Sequence, residues 1–185
     1  MRYFTCKAAA VLSLSLGACV QADINRNDAW EKSCAAKSFE CTEVSGSGTH
    51  YFQGAVIHSV TPTPSGFVQR STDTIDLSGD LRGRLIYHPV SVFDFDAGTL
   101  VNTGQQVFSG TVLDSQPVLL FDDTFRFDVN LNTGETTGTV HLDQALAGEN
   151  IECHLEVVGT GMTEQGDARV DYTGICRIKR VGAGN

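Results

Sequence analysis

The feature that most constrains this chain is the alternation in PVLLFDDTFRFDVNLN. Leu119, Phe121, Phe125, Phe127, Val129 and Leu131 fall on one parity, and Asp122, Thr124, Arg126, Asp128, Asn130 and Asn132 on the other. A period of two belongs to a strand with one dry and one wet face; the apolar residues of a helix recur every three or four positions instead. Noisier runs of the same kind occupy residues 50 to 60, 66 to 77, 81 to 96, 99 to 113, 135 to 143, 150 to 158 and 168 to 180, each bounded by Gly, Asp, Asn or Pro. Together they predict an all-β chain, a single antiparallel meander of about eight strands. No helical period follows residue 45, which excludes βαβ units and a parallel sheet. Such a meander closes into one β-barrel or packs as a two-sheet β-sandwich, and the barrel is preferred because closure leaves no exposed edges. TPTPSG, at 61 to 66, is a turn between strands.

Two stretches look like copies of one motif, VNTGQQVFSGTV at 101 to 112 and LNTGETTGTV at 131 to 140. Asn and Gly both tolerate the left-handed backbone of a tight bend, so the expectation is a strand, turn, strand unit used twice, with Gly110 or Gly138 letting the returning strand curve. The second copy also resembles an acidic calcium loop through Asp128, Asn130 and Asn132. An EF-hand loop starting at Asp128 needs Gly at its sixth residue and Glu at its twelfth, however, and Thr133 and Thr139 stand there. On a strand, Asp128 and Asn132 point the same way but lie about 13 Å apart. No metal site is expected.

The first 22 residues read as an export leader. Arg2 and Lys7 form a basic start, AAAVLSLSLGA a short apolar core, and Val20-Gln21-Ala22 a small-residue cleavage site. The apolar run is too short to span a bilayer, so no transmembrane segment is expected in the mature chain. Leu16-Gly17-Ala18-Cys19 also resembles a lipobox, which would acylate Cys19 and anchor the product as a lipoprotein. Either route leads out of the cytosol, to a periplasmic or secreted product or to a membrane surface. Cleavage removes two of the 13 basic residues and none of the 22 acidic ones, leaving a mature net charge of −11. That disfavours nucleic acid, whose phosphates need a basic face, and anionic membrane surfaces as well.

Export gives the cysteines a meaning. Cys34, Cys41, Cys153 and Cys176 remain after the leader, and an even count in an exported domain reads as two disulfides. IECHLEVV and ARVDYTGICRI flank a Gly-rich polar turn, and a hairpin folded midway between residues 164 and 165 sets Cys153 directly opposite Cys176. Ile151, Leu155 and Val157 share the face of Cys153, and Val170, Tyr172 and Ile178 that of Cys176. Glu152, His154, Glu156, Asp171, Arg177 and Lys179 lie on the opposite faces. Cys34 and Cys41 then pair across CAAKSFEC. Their neighbourhood, NDAWEKSCAAK, reads as a short N-terminal helix capped by Asn27 or Asp28. Seven positions on one helix span about 10 Å, so the helix must end before Cys41 for the bridge to close. The expected organisation is a leader over 1–22, a helix and disulfide loop over 23–47, and a barrel domain over 48–185.

Functional chemistry is harder to find. The chain carries no G-x-S-x-G, H-E-x-x-H, P-loop, G-x-G-x-x-G or C-x-x-C signature, and no cofactor is expected. A barrel enzyme needs no linear motif, so polar groups on apolar faces are the candidates. Asp123 shares its parity with Phe121 and Phe125; an unbroken strand would bury its carboxylate, whereas a bulge at Asp122-Asp123 would turn it outward. His50 and His58 share a face with Phe52, Val56 and Val60 but lie about 26 Å apart on a straight strand, so they form no joint site and His58 alone is the candidate to line a pocket. In RLIYHPVSVFDFD, Tyr87, Phe93 and Phe95 fall on one parity and His88, Asp94 and Asp96 on the other. The candidate cavity residues are thus Asp123, His58, Tyr87 and His88. The leading expectation is a non-catalytic barrel that binds a small apolar or amphipathic ligand, or a protein partner. The alternatives are a small barrel isomerase, cyclase or hydrolase using Asp123, His58 or Tyr87 as acid or base, and a structural envelope or adhesion module.

Overall fold

A computed structural model describes Trp30, Cys34 and residues 39–179. The leader, with Cys19, and the N-terminal helix lie outside the described residues, save for Trp30, which is buried, and Cys34. Contacts divide the chain into a unit ending at Phe39 and a second unit from Glu40 onward. The second unit is almost entirely strand. In chain order the elements are β1 (Phe39–His50), whose first residue closes the first unit, a 3₁₀ turn (Phe52–Gly54), β2 (Val56–Thr63), β3 (Gly66–Gly79), β4 (Leu81–Asp94), β5 (Thr99–Val112), β6 (Val118–Asp122), β7 (Arg126–Asn130), β8 (Thr136–Leu142), β9 (Gln144–Ala147), β10 (Ile151–Met162) and β11 (Ala168–Lys179).

Eight of these strands close a barrel. The hydrogen-bonded ring runs β1, β3, β4, β5, β7, β8, β10, β11 and back to β1, and every pair with a described register is antiparallel. The predicted meander and its closure are therefore observed. The other three strands are additions to the ring. β2 lies along the first half of β3, and β6 lies along β5 beyond the end of β7, with β9 on its outer edge. β1, which starts at Phe39, lies upstream of residue 48, where the alternation becomes visible. Its Glu, Thr, Ser and Gly content hides an apolar face of which Val44 is a buried member.

Two expectations about individual strands are corrected. The alternating stretch 118–131 is two strands, since the chain breaks after Asp122. In β6 the buried side chains are Val118, Leu120 and Asp122; in β7 and just before it they are Phe125 and Phe127. The dry parity changes across the break, so Asp122 is buried and Asp123 exposed. The repeated NTG motif likewise marks two different structures. The second copy is the β7–β8 turn, with Gly134 at φ 77°, but the first lies inside the uninterrupted β5. There Gly104, at φ 152°, sits opposite Pro89, where β5 changes partner from β7 to β6. A Cβ at Gly104 would collide with the His88 carbonyl, so close backbone approach explains this glycine.

The β10–β11 hairpin matches its sequence pattern. Cys153 pairs with Cys176 and is bridged to it, with Cα atoms 4.1 Å apart. The expected register holds from Ile151–Ile178 to Gly159–Val170, beyond which a bulge shifts it. Across the outer face Arg177 clasps Glu152 through Nε at 2.9 Å and through a second guanidinium nitrogen. Cys34 and Cys41 are both disulfide-bonded as well.

The core fills one end of the barrel. Leu81, Phe108, Val112, Leu120, Leu142, Ile151, Cys153 and Cys176 come from the starts of β4 and β10, the ends of β5, β8 and β11, and β6; all are fully buried. Tyr172 secures this end. Its hydroxyl accepts the Leu81 amide at 2.8 Å and lies 3.1 Å from the Ser78 carbonyl, tying β11 to the β3–β4 turn.

Candidate functional site

The opposite half of the barrel is hollow. A cavity of about 430 Å³ is walled by apolar side chains of seven of the eight barrel strands, among them Ile75, Leu85, Leu100, Val140, Leu155 and Val157, and by His50 of the eighth, β1. Its mouth lies at the β7–β8 turn (Thr133, Gly134), the β10–β11 hairpin (Met162, Ala168, Arg169) and Phe52 of the 3₁₀ turn. The walls are apolar because each barrel strand turns one parity inward, and the chain puts its Leu, Val, Ile and Phe on that parity.

A row of polar residues crosses the inward faces of the strands, and of its members Tyr87 lines the cavity. Asp73 of β3 pairs with Tyr87 of β4, Tyr87 with Gln106 of β5, and Gln106 with Asp122 of β6. Directly paired residues share a face, so the four side chains form an inward row across four strands. All are buried, with exposures of 6%, 2%, 0% and 0% in that order.

The two ends of this row differ in what satisfies them. Asp122 is saturated: its carboxylate accepts the Gln106 amide at 2.9 Å, the Thr124 backbone N–H at 2.7 Å, the Thr124 hydroxyl at 3.2 Å and the His141 backbone N–H at 2.9 Å. These bonds pin the β6–β7 break to β5 and β8, which is a structural role. Asp73 is much less satisfied. Its Oδ2 accepts the Ser71 hydroxyl at 3.1 Å and stands 3.6 Å from His50 Nε2, while Oδ1 is buried without a partner.

His50 and Tyr87 carry the influence of Asp73 to the cavity, which both of them line. Their rings meet edge to face with centroids 5.6 Å apart, and Phe52 lies over His50 at 4.5 Å. Burial pushes the Tyr87 phenol well above its ordinary range, and the Asp73 carboxylate pushes it further, so the hydroxyl keeps its proton. Asn102 adds one more polar group to the lining; its Oδ1 is buried and has no hydrogen-bond partner.

Of the four sequence candidates, Tyr87 alone lines the cavity. Asp123 is exposed beyond the strand break. His58 and His88 are exposed too, but Thr72 joins them on the outer face: its hydroxyl lies 2.7 Å from His58 Nε2 and 2.9 Å from His88 Nδ1. The 3₁₀ turn separates His50 from β2, so it is His50 that reaches the interior. Asp73 and Gln106 escaped the sequence reading, although the same parity test marks both. Asp73 shares its parity with Ile75 and Leu77, and Gln106 with Phe108 and Val112.

Among the described residues no group of three or more His, Cys, Asp or Glu side chains could hold a metal ion. No helix there is long and apolar enough to cross a membrane. No family model matches the chain, and no curated protein is similar to it.

Proposed function

We propose that the protein is an exported barrel that binds a small amphipathic molecule in its lumen. One observation carries this reading: a cavity of about 430 Å³, open at one end, whose apolar wall is interrupted by a few polar groups, His50, Tyr87 and Asn102. Ligand pockets run from about 300 to 1,000 Å³ and have this lining. A barrel built only for stability would instead fill its lumen, since close packing is what stabilises a core. Export is supported by the leader-like N-terminus and by the bonded cysteines, which persist in oxidising compartments.

The experiment is a titration with N-phenyl-1-naphthylamine, a neutral probe that fluoresces in apolar surroundings. Wild type should give a saturable signal, and Leu155→Phe with Val157→Phe, which refills the lumen, should abolish it while leaving the folded spectrum intact. A signal unchanged by refilling would refute the reading.

The His50–Asp73 approach at 3.6 Å beside Tyr87 favours a second reading, acid–base catalysis in the same lumen, with His50 as the proton acceptor and Tyr87 as a hydrogen-bond donor. In D₂O, proton exchange into a bound ketone probe such as 2-decanone, lost in His50→Ala, would establish it. Exchange no faster than in buffer would count against it.

A further inference from the structure

The polar groups of the cavity do not treat all head groups alike. Asp73 is a buried carboxylate with one oxygen unpartnered, and among the described residues its only ion-pair neighbour is His50 at 3.6 Å. Asn102 presents a second unpartnered acceptor, Oδ1, from β5. The phenyl and phenol rings of Phe52, Tyr87, Phe127 and Tyr172 line the same cavity. The one arginine in the lining, Arg169, is exposed and sits at the mouth, near the start of β11.

These groups set a sign. Inside the barrel charges act through a lower dielectric than in water, so a carboxylate head beside His50 and Tyr87 meets a repulsion from Asp73 behind them that solvent screens only weakly. An ammonium head meets the opposite. It gains the Asp73 charge, can donate to Asn102 Oδ1, and finds aromatic faces of the kind that attract cations. The open acceptors thus want a donor, and the incompletely partnered carboxylate wants a cation.

We infer that the lumen selects amphiphiles with a primary amine head, held on the polar band of His50, Tyr87 and Asn102 in the field of Asp73, with the apolar tail running inward along Leu85, Leu155 and Val157. This inference rests on the lumen-binding reading above. A fatty carboxylate would be drawn outward, to leave its head at Arg169.

Displacement of N-phenyl-1-naphthylamine by decylamine, decanol and decanoate, below their aggregation concentrations, tests the choice. Decylamine should displace the probe at about tenfold lower concentration than decanoate. Asn102→Leu and Asp73→Asn should each shrink that gap. Two variants are used because Asp73 is buried and Asn102 provides an independent removal of an acceptor. Decanoate displacing as well as decylamine would overturn the inference. A gap left unchanged by both variants would overturn it too, since the amine would then be responding to the acidic surface. Binding of the probe with the wrong order of heads defeats the amine choice alone; no probe binding by wild type defeats the lumen reading as well.

Discussion

Asp122 and Asp123 are adjacent carboxylates with opposite fates. Alternation alone assigns Asp122 to the wet face and makes Asp123 the problem; a break between two strands, rather than a bulge within one, turns Asp123 outward. What alternation could not show is that a break also reverses the parity before it, so that Asp122 becomes the buried acid. Its four hydrogen bonds account for the burial. Asp122→Ala would strand the Gln106 amide and two backbone N–H groups, and should lower the unfolding free energy in urea by about 3 kcal/mol. Asp123→Ala should change it by less than about 0.5 kcal/mol. Tyr87 gives a pH prediction. An unfolded tyrosine ionises near pH 10, but the folded Tyr87 holds its proton to higher pH because of burial and the Asp73 charge. Its contribution to stability is therefore complete below about pH 10 and is lost as the pH rises above it. Urea midpoints should fall more steeply above about pH 10 in wild type than in Tyr87→Phe; Tyr172, also raised by burial, leaves a residual slope in both.

At the scale of elements, most strands were legible because their apolar residues alternate and their turns contain Gly, Pro or Asp. β3, β4, β5, β8 and β11 fall within a few residues of the runs read from sequence. The cysteine pair was legible for a different reason, since a hairpin's register fixes which residues face one another. Cys153→Ala with Cys176→Ala should lower the unfolding free energy by about 3 kcal/mol, measured in urea, the effect expected when a loop of this length is opened. β1 was not legible, because its inward positions include small and polar residues. The NTG repeat misled for the opposite reason: one local sequence serves as a turn in β7–β8 and as a flexed strand in β5, and only the partners of each strand distinguish them. Gly138 illustrates a local requirement. A Cβ there would run into the Phe127 ring, so Gly138→Ala should cost about 1 to 3 kcal/mol in urea by forcing that ring from its place.

For the whole molecule, closure was predictable from chain economy, but the hollow half was not. A barrel's lumen is set by which inward side chains are large and where they fall along each strand, and that depends on registers that sequence alone does not supply. Leu81, Phe108 and Leu142 fill one end, while Gly159, Gly161 and Ala168 leave the other open. The polar row had the same obstacle, because Asp73, Tyr87, Gln106 and Asp122 become neighbours only once four strands are paired. The exterior offers a competing apolar surface: Val56, Ile57 and Val60 of β2 and Phe95 after β4 are all exposed. Methyl and amide NMR shifts on adding N-phenyl-1-naphthylamine separate the two surfaces most directly. Ligand binding in the lumen predicts saturable shifts at Leu85, Leu155, Val157 and Asn102. Shifts confined to Val56, Ile57, Val60 and Phe95, with the interior unmoved, would contradict it.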